Sequence, residues 1–326
     1  MAADWAAIEA ETVAHLQALI GFDTTNPPGN ELALAKYVMG VFEKEGIAAT
    51  LMEPAENRAT VVARLKGNGS RRPVMLLAHT DVVPVEAERW SVNPFGGVVK
   101  DGFLYGRGAI DDKGMLAANL MTMLLVKRLL VDAGTQLERD VVFVATADEE
   151  TGGELGMRWL VDNHPEVLDV EFAINEGGRT RMIESGKRYL AIQTAEKISH
   201  MVTVSVRGPT GHAAIPLEGN AIFQLSRALA RLADYREPVM LTTTTRRFFE
   251  ILSGMWPEEH ERAAMADLVS ADAETSAKGA AELSKIPVLN AVMRNGISPT
   301  RLAGGVAGNV IPDEATALLN VRTIPG

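Results

Sequence analysis

Cysteine is absent from the 326 residues. Disulfides and thiolate metal ligands are both excluded, so any transition-metal site has to be built from His, Asp and Glu, the harder donors. Histidine is scarce, with six in the chain, which makes a histidine set among carboxylates conspicuous. Positive charge is in deficit: 32 basic residues face 42 acidic ones, a formal charge of −10. That balance argues against a nucleic-acid or anionic-membrane surface. No apolar run is expected to reach the ~18 residues of a membrane span. The opening stretch "MAADWAAIEAETVAHLQALI" reads as an acidic amphipathic helix and lacks the basic and apolar regions of a signal peptide. The expected location is the cytoplasm. Internal repeats and low-complexity tracts are missing as well.

What is there suits a globular protein of about two domains, at roughly 150 residues each. Through residue 196, helix-period segments alternate with short apolar runs. "ELALAKYVMGVFEKEG" reads as a helix, and "ATLMEPAENRATVVARLKG" as a strand pair. "RPVMLLAHTD" and "RDVVFVATADEE" read as strands buried on both faces, with the long helix "GMLAANLMTMLLVKRLLVDAG" between them. "GGELGMRWLVDNHPE" is expected to be helical and "VEFAINEGG" to be a third strand. This alternation predicts an α/β domain over 1–196, with a mixed or mostly parallel sheet and helices on both faces. From 197 the pattern changes. "HMVTVSVRG" and "DEATALLNVRTIPG" alternate with period two, and "AIFQLSRALARLADY" is an amphipathic helix. A smaller α+β domain is expected over 197–326, carrying a helical insertion at about 240–290.

Three strands of the first domain end in metal-type residues: "LLAHTD" in His79 and Asp81, "VATADEE" in Glu149 and Glu150, and "FAINEGG" in Glu176. A fourth group, "YGRGAIDDKG", sets Asp111 and Asp112 in a Gly-rich turn before the long helix. In open α/β sheets, sites form at the carboxyl ends of strands. Each group alone has a plain structural explanation, and "DDKG" in particular suits a helix N-terminus. Together they would repel one another without a cation. A dinuclear centre resolves this, since one carboxylate can bridge two divalent ions roughly 3.5–4 Å apart. Of two successive glutamates, one can bind metal while its neighbour faces the attacking water as general base. In "HTD" the alternation points His79 and Asp81 to one face, so that Asp81 could fix the imidazole tautomer.

In these motifs the chain resembles the M20 family of metallopeptidases and amidohydrolases. "HTDVVPV", the "W..NPF" pattern at Trp90–Phe95, "DGFLYGRGAIDDKG", "TADEETGG" and "NEGG" follow the family's order and spacing. The resemblance runs from about Thr24 to the end. It implies a zinc-peptidase-like α/β/α catalytic domain and a ferredoxin-like lid that dimerises. It further implies that His79 binds one metal with support from Asp81, that Asp111 bridges two zinc ions, and that Glu150 and Glu176 are ligands. Glu149 is the implied general base, and the Asp111–Asp112 peptide bond is expected to be cis. "SVRGPTGHAAIP" is similar to the lid motif whose histidine reaches the partner subunit's site to stabilise the oxyanion, a role that falls to His212. "GGVAGNVIPDEATALLNVRTIPG" resembles the segment that holds a substrate carboxylate, here through Asn309 and Arg322.

The implied reaction is hydrolysis of an amide or peptide bond next to a free carboxylate, in a dipeptide or N-acyl amino acid. The helical insertion, "NEGG" and "GNVIP" point to the carboxypeptidase S-like branch, with a deacylase of the acetylornithine or succinyl-diaminopimelate type as the alternative. The family pattern also carries a late histidine for the second metal. This sequence ends at "RTIPG", and His15, His164, His200 and His260 match no ligand motif. The second site is accordingly expected to be incomplete in this chain. A non-catalytic metal-binding or dimerisation module is a further alternative.

Overall fold

The computed structural model describes residues 4–182 and 188–325. Contacts divide the chain into two units, Met1–Glu176 and Gly177–Gly326. In the first, α1 (Trp5–Ile20) is capped by Asp4, whose side chain accepts from the Ala7 N–H, and α2 (Leu32–Lys44) follows. Next come β1 (Ala49–Ala55), β2 (Arg58–Leu65) and β3 (Val74–His79), then a hairpin of β4 (Val98–Lys100) and β5 (Phe103–Tyr105). Helix α3 (Lys113–Val126), β6 (Val141–Thr146), α4 (Met157–Asn163) and β7 (Phe172–Ile174) complete the unit.

Five strands form one sheet in the order β1-β2-β6-β3-β7. β1 and β2 are antiparallel to their neighbours, whereas β3 lies parallel to both β6 and β7. The continuous apolar runs have a direct cause. Phe143 and Ala145 of β6 face the core under α1, α2 and α3, while Val142 and Val144 face a second core under α4. Both faces are dry, so every position has to be apolar. Phe143 meets Phe42 of α2 edge-on, with ring centres 4.9 Å apart.

Two expectations need correction here. The helical run Lys113–Val131, which is α3 plus a π-turn, has 19 residues and is long and apolar enough by composition to span a membrane. It is a core helix instead: Leu116, Leu120, Met123 and Leu124 are fully buried in the packing around the sheet. The segment "GGELGMRWLVDNHPE" is α-helical only over α4, with a 3-10 turn beginning at Pro165. Gly152 and Gly153 have φ of 112° and 75°, which a right-handed helix cannot contain.

Asp140, at the entry to β6, shows how charge pins this sheet. Its carboxylate accepts from the Gly67 N–H at 2.8 Å, from Arg64 at 2.9 Å and from Lys66 at 2.9 Å. Burial works to raise its pKa, but these three donors outweigh burial and hold it down at about 2. A carboxyl depressed by folding contributes stability above its unfolded value, near ~3.9, and that contribution is lost as pH falls through about 2. Asp140→Asn is expected to cost about 2 kcal/mol in urea unfolding at pH 7, and the gap should close between about pH 4 and pH 2. A gap that does not vary with pH would count against this account.

The second unit begins with a hairpin of β8 (Arg179–Met182) and β9 (Arg188–Ala191). Tyr189 packs against the helical core of this unit, which explains a contact boundary at 176/177 where the sequence pattern suggests 196/197. β10 (Ile198–Arg207) and β11 (Gly211–His212) precede α5 (Ala221–Asp234). Four helices make up the insertion: α6 (Thr243–Leu252), α7 (Glu259–Leu268), α8 (Ala273–Leu283) and α9 (Pro287–Met293). They enclose a core of their own around Phe249, Met265, Leu268 and Met293. β12 (Gly296–Gly304), β13 (Val310–Ile311) and β14 (Glu314–Thr323) close the unit. β14 lies between β10 and β12 in an antiparallel sheet, and α5 covers one face through Leu225 against Ala315, Ala317 and Leu319.

Candidate metal centre

Because β3, β6 and β7 run parallel, their carboxyl ends share one edge. His79 pairs in register with Thr146, which puts the histidine beside the turn that carries Glu149 and Glu150. Glu176 follows β7, the other neighbour of β3. The turn before α3 brings Asp111 and Asp112 to the same place, with a cis peptide bond between them.

Five side chains converge on His79. Its Nε2 lies 2.9 Å from Asp111 Oδ1, 3.7 Å from Glu176 Oε2 and 4.0 Å from Glu149 Oε2. Two groups have ligand atoms all within 4.8 Å of one another: His79, Asp112 and Glu176, and His79, Asp111 and Glu150. Beside them is a pocket of about 290 Å³ bounded by His79, Glu149, Gly152, Gly153, Met157 and Glu176.

The His79 ring is oriented from behind. Nδ1 lies 3.0 Å from the Asp81 carbonyl oxygen, which can only accept, so Nδ1 carries the proton and Nε2 faces the carboxylates. Burial lowers the His79 pKa, but Asp81, Asp112 and Asp111 overcome it and push it up to about 10. Asp112 moves the same way: burial, with Glu176 and Asp111 nearby, raises it to about 7 although His79 opposes the shift. Glu150 is also raised, by burial first and then by Asp111. Burial leads the shifts of Asp112 and Glu150, and what all three share beyond it is nearby negative charge, which favours a cation at its centre. One imidazole nitrogen of fixed tautomer among carboxylate oxygens is a donor set that zinc accepts. The residues present fit a divalent ion.

Asp81 does more than face His79. It is fully buried, and its Oδ1 and Oδ2 accept the N–H groups of Glu149 and Glu150 at 3.0 and 3.1 Å. One carboxylate therefore sets both the histidine and the glutamate turn. Asp112 exceeds the part its position suggests. It occupies the N-cap position of α3 without making a capping bond; its Oδ2 instead faces the His79 N–H at 3.2 Å. Its sequence signal is present, an acidic pair in which either member could serve.

In the second unit, β11 pairs with β13, and His212 lies opposite Val310. The Ala213 N–H bonds the Asn309 carbonyl at 2.9 Å, so His212 and Asn309 are neighbours. Arg322 is not with them. It sits at the far end of β14, opposite Ser199, with its Nε donating to Asn320 at 3.0 Å. Eight residue steps of strand, about 26 Å at ~3.3 Å each, separate Arg322 from Glu314 at the start of β14. Within one chain, Asn309 and Arg322 do not form a single clamp.

The model of the peptidase family M20/M25/M40 matches residues 75–287. The chain belongs to that family. The human N-fatty-acyl-amino acid synthase/hydrolase PM20D1 is 28% identical over 320 residues, covering 91% of this chain and 59% of its own length. A probable carboxypeptidase S-like 2 of Dictyostelium discoideum is 30% identical over 283 residues, covering 79% of this chain and 49% of its own. The chain thus spans about half to three-fifths of the length of the curated relatives it matches. Among solved structures, an M20 family metallo-carboxypeptidase, Sso-CP2 of Sulfolobus solfataricus, superposes with a TM-score of 0.67 at 20% identity. The superposition covers 97% of this chain and 72% of that one. The M20 peptidase fold, mixed α/β with a sheet core, is common to both.

Proposed function

We propose that the protein hydrolyses an amide or peptide bond adjacent to a free carboxylate, in a dipeptide or an N-acyl amino acid. The observation that carries this reading is the convergence of Asp111, Asp112, Glu149, Glu150 and Glu176 around a single oriented histidine. Membership of the M20 family and similarity to an N-fatty-acyl-amino acid hydrolase and a carboxypeptidase S-like protein support it.

His79, Asp111, Asp112, Glu150 and Glu176 would hold zinc, and the ion would supply Lewis acidity for the carbonyl and for the attacking water. Glu149 takes a proton from the water and returns it to the leaving amine. Its side chain is half exposed beside the pocket, where a substrate can reach it. Asp81 keeps Nδ1 of His79 protonated and the glutamate turn in place. His212 stabilises the oxyanion, and Asn309 and Arg322 bind the substrate carboxylate. The span of β14 between those last two supports a homodimer, in which one copy supplies Asn309 and His212 and the other Arg322.

The test is a screen of the full-length protein, loaded with zinc, against dipeptides and N-acyl amino acids beside their carboxamide counterparts. Hydrolysis that needs both the metal and the free carboxylate is expected, from a protein that light scattering shows to be a dimer. Zinc binding without turnover of any of these compounds would overturn the enzymatic reading in favour of a metal-binding module.

A further inference from the structure

We infer that Arg58, through a buried ionic chain, is the positioning residue that holds the Glu149–Glu150 turn toward the candidate metal centre. The inference rests on the hydrolase reading for its catalytic consequence, and on the fold alone for its geometric one. Arg58 opens β2 and is buried there, at the head of a strand that stays buried through Ala63. Its Nε and Nη2 donate to the two oxygens of Glu31 at 2.7 and 2.8 Å, and Nη1 donates to the Pro28 carbonyl at 2.9 Å. Nη2 also reaches Asp148 Oδ1 at 2.9 Å. The side chains of Arg58, Glu31 and Asp148 are at least nine-tenths buried.

Asp148 is the point of action. It directly precedes the glutamate pair and adopts φ 69°, ψ 17°, the left-handed region that few non-glycine residues occupy. That conformation turns the chain after β6 so that the next two N–H groups point back at the Asp81 carboxylate. Local bonds contribute: Asp148 Oδ1 accepts from Thr151 Oγ1 at 2.6 Å, and Oδ2 accepts from the Leu155 N–H at 2.9 Å. Asn26 joins the two carboxylates, donating to Asp81 at 2.7 Å and to Asp148 at 3.0 Å. Arg58 is the cation of this set and ties the turn to β2 and to Glu31 at the start of α2, both packed into the core.

Gly29 shows that the passage is built for it. A Cβ at Gly29, whose φ is +108°, would lie 2.4 Å from Arg58 Nε. Only glycine lets the loop wrap the guanidinium this closely. Removing Arg58 alone would leave Glu31 charged and buried without a partner, a change that can unfold a protein for reasons unrelated to the turn. The informative variant is therefore the double replacement R58M/E31L, read beside the conservative R58K.

Amide hydrogen exchange on the metal-free full-length protein reads the turn without any chemistry. In R58M/E31L the Glu149 and Glu150 N–H groups are expected to exchange at least ~10-fold faster, while Val142–Ala145 of β6 stay protected. R58K should fall between the double variant and the parent. In the zinc-loaded enzyme the double variant should lose about 10–100-fold in kcat, as lost support of metal ligands typically does, with KM little changed and part of the loss restored in R58K. Unchanged exchange at Glu149 and Glu150, or an equal rise across β6, would overturn the inference, as would a loss confined to KM. A parent protein that hydrolyses none of the substrates would end the hydrolase reading and leave the exchange comparison fully readable.

Discussion

Glu149→Ala in the full-length protein is expected to lower kcat by about 10²–10⁴-fold, the usual contribution of a general acid–base group, while bound zinc stays close to the parent level. The separation of the two effects follows from geometry. Glu149 belongs to neither group of mutually close ligand atoms, and its nearest oxygen is 4.0 Å from His79 Nε2. What Glu149 itself contributes to the turn is its backbone N–H, held by Asp81 at 3.0 Å, and alanine keeps that bond. The variant thus removes the proton carrier without removing a ligand or moving one. Glu149→Gln should behave in the same way, since the amide keeps the shape and loses the basicity. Metal analysis beside steady-state kinetics decides the matter. Zinc and activity lost in parallel would mean that Glu149 is a ligand and that the base lies elsewhere.

The edge on which the centre forms was legible because two physical signals coincide there. "RPVMLLAHTD" and "RDVVFVATADEE" are apolar without alternation, which only a sheet covered on both faces requires, and both runs break at acidic or imidazole groups. β3 and β6 are indeed parallel neighbours, with His79 opposite Thr146. Partnerships between distant segments left no such trace. Arg58 and Asp148 are 90 positions apart, and nothing in the spacing of either announces the other. Asp112 was ambiguous for a different reason. At a helix start an acidic residue suits the dipole and a metal equally, and only its position beside His79 and Glu176, with no capping bond to α3, separates the two roles. The Gly152–Gly153 turn leaves no mark on the pattern, because "ELGMRWLVDN" has helical periodicity, which says nothing about where the helix begins.

His79→Ala is expected to reduce bound zinc more than any single carboxylate replacement and to bring activity to background. The reason is its shared position. Both groups of mutually close donors include His79, whereas Asp111 and Glu150 belong to one and Asp112 and Glu176 to the other. Asp111→Ala leaves the His79–Asp112–Glu176 group whole. His79→Ala leaves two pairs of carboxylates and no nitrogen donor in either. The remaining charges also lose the group whose pKa they raise to about 10, so like charges then face one another across the site. Part of that repulsion is relieved by protonation: Asp112, at about 7, is already near the point of taking up a proton. A protonated carboxyl is a poor ligand, so loss of the imidazole compounds itself. Zinc counted after exhaustive dialysis should rank the parent above Asp111→Ala, and Asp111→Ala above His79→Ala. Equal zinc in the two variants would show that His79 is not the shared donor and would break the link between the two groups.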